Sequence, residues 1–204
     1  MSDRGVSNYF EILGESPRPW LDEDKLKSRF LELSAPLHPD KMVSASDAQK
    51  DEAGSRFAAI NQAYQVLRSP KDRLHHLLDL TSLKLNDVQK IPPGTMDLFM
   101  EIGQVCRDTD AFLELKNKET SPLMKATLFI KGQGWSEKLE VLQQKVSEKR
   151  ISLESTLKAL DSEWPEDNKP NPTQIETLEN TYRALSYVSR WSEQIEERFV
   201  SLMI

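Results

Sequence analysis

Cysteine is nearly absent from this chain of 204 residues, Cys106 being the single one. One thiol cannot form an internal disulfide or a multi-cysteine zinc site. On a helix its ordinary place is that of a small buried hydrophobe. A reducing compartment fits this usage, and the expectation is a cytoplasmic protein. Long apolar runs are missing too: nothing approaches the roughly 20 residues that a membrane-spanning helix needs. Residues 1–10 hold neither an apolar core nor an Arg-rich amphipathic pattern, so no secretory signal or transit peptide is read there. Positive charge is in deficit, 27 Lys and Arg against 33 Asp and Glu. The resulting net charge of −6 argues against nucleic acid, which rewards a basic footprint. Glycine is scarce at seven residues, as expected of an all-α fold. The chain also lacks a Gly-rich phosphate loop, a nucleophile–base pair and a clustered set of metal ligands. Neither catalysis nor a cofactor is expected.

What the chain does have is helical periodicity. Tyr9, Phe10 and Leu13 share one face of a short helix that Gly14 can end, and Pro17 and Pro19 keep the following stretch non-helical. Asp22 is placed to cap a second helix, with Glu23 and Asp24 in its first turn where the dipole favours acids. Leu26, Phe30 and Leu33 follow at i, i+4 and i+7 as one buried stripe, and Lys25, Lys27 and Arg29 occupy the opposite face. A third helix is predicted from about Ala48 to Leu67, with Ala53, Phe57, Ile60, Tyr64 and Leu67 on one face and Ser69-Pro70 as its stop. The two longer helices form a hairpin that buries both stripes.

Between them stands Leu37-His38-Pro39-Asp40-Lys41. Pro39 fixes its own φ and pushes His38 out of the α region, so the peptide is expected in an exposed, preset turn. Asp40 can accept charge-assisted hydrogen bonds from a partner's arginine, and His38 can donate or accept without being charged. A His-Pro-Asp turn between two such helices, with Ile60-Asn61-Gln62-Ala63-Tyr64 in the third helix, resembles a J domain. This module stimulates ATP hydrolysis by DnaK-type chaperones. The resemblance implies that His38, Pro39 and Asp40, with Lys41 beside them, form the trigger loop. It also implies that Lys25, Lys27 and Arg29 form the basic face that docks on the chaperone's acidic surface. Two departures from the family stand out: Pro36 is expected to end or kink the second helix about a turn early, and no positive charge lies between Arg29 and His38.

The continuation resembles one branch of that family, the HscB-type co-chaperones of iron–sulfur cluster assembly. Leu67-Arg68-Ser69-Pro70, Arg73 and the leucines of a short helix with Leu74, Leu77 and Leu78 inward look like that branch's passage out of the J domain. His75 and His76 are expected at the surface and rim of this helix. The domain reading is a J domain over 1–80, a linker over 81–94 and a helical bundle over 95–204. Within the bundle a helix capped by Thr95 runs toward Leu115. A shorter element around Leu123 to Lys131 is set off by Pro122, Gly132 and Gly134, and a long helix spans about Ser136 to Glu163. A last helix begins near Thr173. Their apolar stripes fit a three-helix antiparallel bundle.

In the HscB type the bundle binds the scaffold on which iron–sulfur clusters are built. The resemblance puts Phe99 and Met100 of the first bundle helix, and Tyr187 of the last, on the client-contact positions, although core packing is an equally ordinary role for each. Gly103, Gln104 and Arg107 stand where the family tends to have a leucine and two acids, and Lys116 to Gly134 looks like an insertion. The partners implied are a DnaK-type, HscA-like ATPase and an IscU-like scaffold, without membrane or nucleic acid. The oligomeric state is not read from the sequence. Two other readings stay open: a J protein with a different, non-cluster client, and a helical scaffold protein whose His-Pro-Asp loop does not function.

Overall fold

The computed structural model describes residues 7–41, 46–81, 91–92 and 94–204. Most of the expected linker, residues 82–90, lies outside the described residues. Among those described, the chain is helical and has no strand. Packing divides it into two compact units, one drawn from Met1–Val88 and Thr156–Tyr182, the other from Gln89–Ser155 and Arg183–Ile204.

The first unit begins with α1, Tyr9–Leu13, capped by the Asn8 side chain and ended by Gly14 at φ 71°. That left-handed φ is one glycine adopts without the Cβ penalty. Helix α2, Glu23–Ser34, starts where the Asp22 carboxylate accepts the Lys25 N–H and gives way at Ala35 to a single 3-10 turn, Ala35–Leu37. Pro36 therefore ends the α-helix as expected. Helix α3, Asp47–Arg68, opens with a reciprocal capping box between Ser46 and Gln49. Helix α4, Pro70–Leu80, follows after the single residue Ser69, whose side chain caps it. Both α1 and α2 pack on α3, and α4 packs back on it. Phe10, Leu13, Leu26, Leu67, Leu74, Leu77 and Leu78 are fully buried here. The Phe30 and Tyr64 rings stack at 4.4 Å across α2 and α3.

Two polar residues of α4 belong to this core. Arg73 is buried, its Nε donating to the Pro19 carbonyl at 2.9 Å and its Nη1 to that of Leu67 at 2.7 Å. His76 corrects the expectation of a rim residue: it is 3% exposed, stacked on Phe10, and its Nε2 accepts the Tyr9 N–H. Apolar spacing could not reveal this, because the partner is the first residue of a helix far away in sequence. His75 does lie half-exposed, 3.1 Å from the Asp79 carboxylate.

The second unit holds α5, Met96–Lys118, together with parts of α6, Pro122–Ser162, and α7, Pro172–Met203. Helix α6 is one helix of 41 residues where the sequence suggested two elements split at Gly132 and Gly134. A glycine inside a helix costs only about 1 kcal/mol against alanine, too little by itself to end the helix, although Leu123, Phe129 and Ile130 of its first turns are exposed. A Cβ built at Gly132 would meet the Phe112 ring at 3.7 Å, an ordinary van der Waals contact that the site accommodates. Leu139, Leu142, Val146 and Leu153 of α6, Ile102 and Phe112 of α5, and Val188, Trp191 and Ile195 of α7 are among the buried apolar residues of this unit. Cys106 is buried among them, and burial raises its thiol pKa. Arg198 of α7 ties to Asp110 of α5 at 2.6 Å. Thr95 does not cap α5 as expected, since its buried hydroxyl donates backward to the Pro92 carbonyl at 2.6 Å.

Candidate functional site

His38 stands between two single 3-10 turns, Ala35–Leu37 and Pro39–Lys41, and Pro39 and Asp40 open the second. His38 is extended, at φ −65° and ψ 137°, as required of a residue before proline. The turn closes on the Lys41 N–H, which donates to the His38 carbonyl at 2.9 Å. Inside it the Asp40 N–H donates to Nδ1 of His38 at 3.3 Å, and an Asp40 carboxylate oxygen lies 3.4 Å from the same nitrogen. A neutral ring that accepts at Nδ1 carries its proton on Nε2, so it keeps a donor for a partner. The two side chains are 57% and 89% exposed. Such exposure costs the fold nothing in buried polar groups and leaves the loop's polar atoms ready for intermolecular bonds.

The basic face of α2 is narrower than its sequence suggests. Lys25 and Lys27 are exposed. Arg29 is half-buried and turned to α1: its Nε donates to the Leu13 carbonyl at 3.1 Å and its Nη1 pairs with Glu32 at 2.8 Å. The guanidinium thereby satisfies one of the carbonyls left open at the end of α1. Its charge lies beside that of Glu32, so the field presented by this face comes chiefly from the two lysines.

In the second unit, Phe99 and Tyr187 come together edge to face with ring centroids 6.4 Å apart. Trp191, which periodicity did not single out, lies behind them, 5.7 Å from Tyr187 and 6.5 Å from Phe99, and is 3% exposed. Its signal was available, because it stands at i+4 from Tyr187 on α7. Phe99 is 36% exposed, Met100 60% and Met96 52%. The three rings form a rigid aromatic base, and the two methionines supply an adaptable apolar rim of the kind used to bind partners. Lys145 and Glu101 pair at 2.6 Å between α6 and α5. On α5, Gln104 bonds both Arg107 and Asp108. Among the described residues no group of three or more His, Cys, Asp or Glu side chains is arranged to hold a metal ion. Likewise no described helix is long and apolar enough to cross a membrane.

Residues 8–76 match the family model of the DnaJ domain. An exposed His-Pro-Asp turn on a hairpin of this kind thus belongs to a J-domain protein. Over 95 residues the chain is 35% identical to the co-chaperone protein HscB homolog of Shewanella loihica, covering 47% of this chain and 55% of that one. Over 114 residues it is 34% identical to the co-chaperone protein HscB homolog of Vibrio cholerae serotype O1, covering 52% of this chain and 67% of that one. The chain belongs to the HscB family of co-chaperones. The matched stretches span between about half and two thirds of these relatives' length. The solved structure of chaperone HscB from Vibrio cholerae superposes with a TM-score of 0.52 at 23% identity, over 93% of this chain and 96% of that one. At that identity the likeness concerns the fold, which is all-α in both.

Proposed function

We propose that this protein is a co-chaperone that stimulates the ATPase of a DnaK-type, HscA-like chaperone and delivers to it an IscU-like iron–sulfur scaffold. The J domain, residues 1–80, would supply the stimulus and the bundle, residues 95–204, the client contact. The observation that carries this is the His38-Pro39-Asp40 turn, preset and exposed between α2 and α3 within a stretch that matches the DnaJ domain. His38, Asp40 and Lys41 would bond the chaperone, with Pro39 holding the turn. Lys25 and Lys27 would steer the approach, and Arg29 would contribute mainly by holding α1 to α2. No reacting group comes from this chain, which would bias the chaperone toward its hydrolysing conformation by binding that state better. The half-exposed cluster of Phe99, Tyr187 and Met100 supports the client role, since a patch with a rigid aromatic base is better suited to contact than to core filling alone.

The test is single-turnover ATP hydrolysis by the DnaK-type chaperone of the same organism, with wild type or His38→Gln, each with and without the purified scaffold. Acceleration by wild type, its loss in the variant and a further gain with scaffold are expected. A variant as active as wild type overturns the trigger-loop assignment. Acceleration that is indifferent to the scaffold points instead to a J protein with another client.

A further inference from the structure

We infer that Asp161, near the end of α6 and far outside the J-domain match, is a positioning residue for the docking helix α2. This rests on the reading of α2 as the helix that meets the chaperone.

The stretch between α1 and α2 contains Pro17 and Pro19, neither of which has a backbone N–H. Two of its backbone donors are therefore missing, and side chains from α4 and α6 help to fix it. The Asp161 carboxylate, 9% exposed, accepts from Arg18 at both oxygens, Nε at 2.8 Å and Nη2 at 2.5 Å, and accepts the Trp20 N–H at 3.3 Å. A two-point guanidinium–carboxylate pair is the strong, directional form of an ion pair. One turn earlier on α6, the Lys158 ammonium lies 5.2 Å from the centre of the Trp20 ring. The intervening residue, Pro19, is gripped through its carbonyl by the buried Arg73 of α4. Three consecutive residues are thus fixed by α4 and α6. Leu21 is then buried, and Asp22 caps α2 by accepting the Lys25 N–H at 2.9 Å.

The grip therefore reaches the first turn of α2 through only two residues. Lys25 lines the same small cavity, of about 210 Å³, as Arg18, Trp20 and Asp161. Loss of the Asp161 charge would break the two-point pair with Arg18 and leave the Trp20 N–H a weaker, neutral acceptor at best. The entry to α2 would then sample other paths and the two lysines would lose their fixed direction. The His38-Pro39-Asp40 turn hangs from the other end of α2 and makes no bond to Asp161, so the trigger itself would be spared.

The experiment uses the full chain with Asp161→Asn, Arg18→Gln and the double variant. It measures the concentration that half-saturates chaperone stimulation, the maximal stimulated rate, and hydrogen exchange of the amides from Trp20 to Lys27. Each single variant is expected to raise the half-saturating concentration about five- to tenfold, with the maximal rate held within about twofold. The double variant should be no worse than either single, because the two side chains act as a unit. Faster exchange at the start of α2 should accompany the shift, with no change in α5. Unaltered half-saturation or unaltered exchange overturns the inference. So does a fall in maximal rate like that of His38→Gln. Arg18 is 44% exposed, so its glutamine variant carries the test should Asp161→Asn not fold. A wild type that fails to stimulate at all is a failure of the co-chaperone reading; exchange at the α2 amides still decides whether Asp161 holds that helix.

Discussion

The backbone N–H of Tyr9 donates to Nε2 of His76 at 3.0 Å across 67 residues of sequence. Only a neutral imidazole can accept there. Burial lowers the His76 pKa from its ordinary value, against the smaller opposing pull of Asp79. The folded-state pKa is therefore below the unfolded value of about 6.5, and the unfolded chain binds the extra proton as pH falls between the two. Stability is complete above about pH 6.5 and is lost toward lower pH. The urea midpoint of wild type should fall between pH 7.5 and pH 5.5 more steeply than that of His76→Gln, which keeps an acceptor but does not titrate. Equal slopes would contradict the assignment.

Glycine substitutions should divide by position. Gly54 in α3 and Gly134 in α6 have open space where a Cβ would go, so Gly54→Ala and Gly134→Ala should each stabilise by about 0.5–1 kcal/mol. Gly14 is at φ 71°, and its Cβ would lie 3.0 Å from the Arg29 guanidinium. There alanine should destabilise, by about 1 kcal/mol or more. Chemical denaturation of the three variants checks both signs together.

The aromatic cluster separates contact from support. Met100→Ala should weaken scaffold binding several-fold while changing stability by less than about 0.5 kcal/mol, the usual range for an exposed site. Trp191→Ala should cost about 3–5 kcal/mol as a buried truncation and weaken binding only as a consequence. Calorimetric titration alongside thermal melting distinguishes the two patterns. Equal binding by wild type and Met100→Ala would remove Met100 from the client surface.

On α2 the charges should part company. Lys27→Ala should reduce chaperone affinity about two- to fivefold at low salt, with the difference closing above roughly 0.5 M salt as screening takes over. Arg29→Ala should lower the melting temperature, because it strips a bond from the end of α1, and should leave the salt dependence of docking little changed. A steep loss of salt dependence in Arg29→Ala would restore it to the docking face.

Helix caps and stripes were legible where they depend on neighbours in sequence. Asp22, Gly14, Leu26 and the α3 face are all local patterns, and α2 gives way to a 3-10 turn just before Pro36, which lacks the N–H to continue it. The break expected at Gly132 and Gly134 does not occur, because two glycines cost a helix only about 1 kcal/mol each and α6 runs unbroken from Pro122 to Ser162. His76 and Arg73 were unreadable as core because the groups they bond, at Tyr9 and Pro19, are more than fifty residues away. For the same reason no motif announces Arg18 and Asp161, which are separated by 143 residues. The exposed His38-Pro39-Asp40 turn is the most legible part, since it is contained in three adjacent residues.

The continuity of α6 into the first unit has a consequence during synthesis. The hairpin of α2 and α3 leaves the ribosome early, but Asp161, which fastens its entry, emerges about 80 residues after α4 is complete. At 5–20 residues per second that interval is roughly 4–16 s. Throughout it the leucine face of α4 and the loop around Trp20 lack their covering from Thr156–Tyr182. A nascent chain stalled near residue 120 should accordingly be cleaved by protease around Arg18–Trp20, and the released 204-residue chain should not.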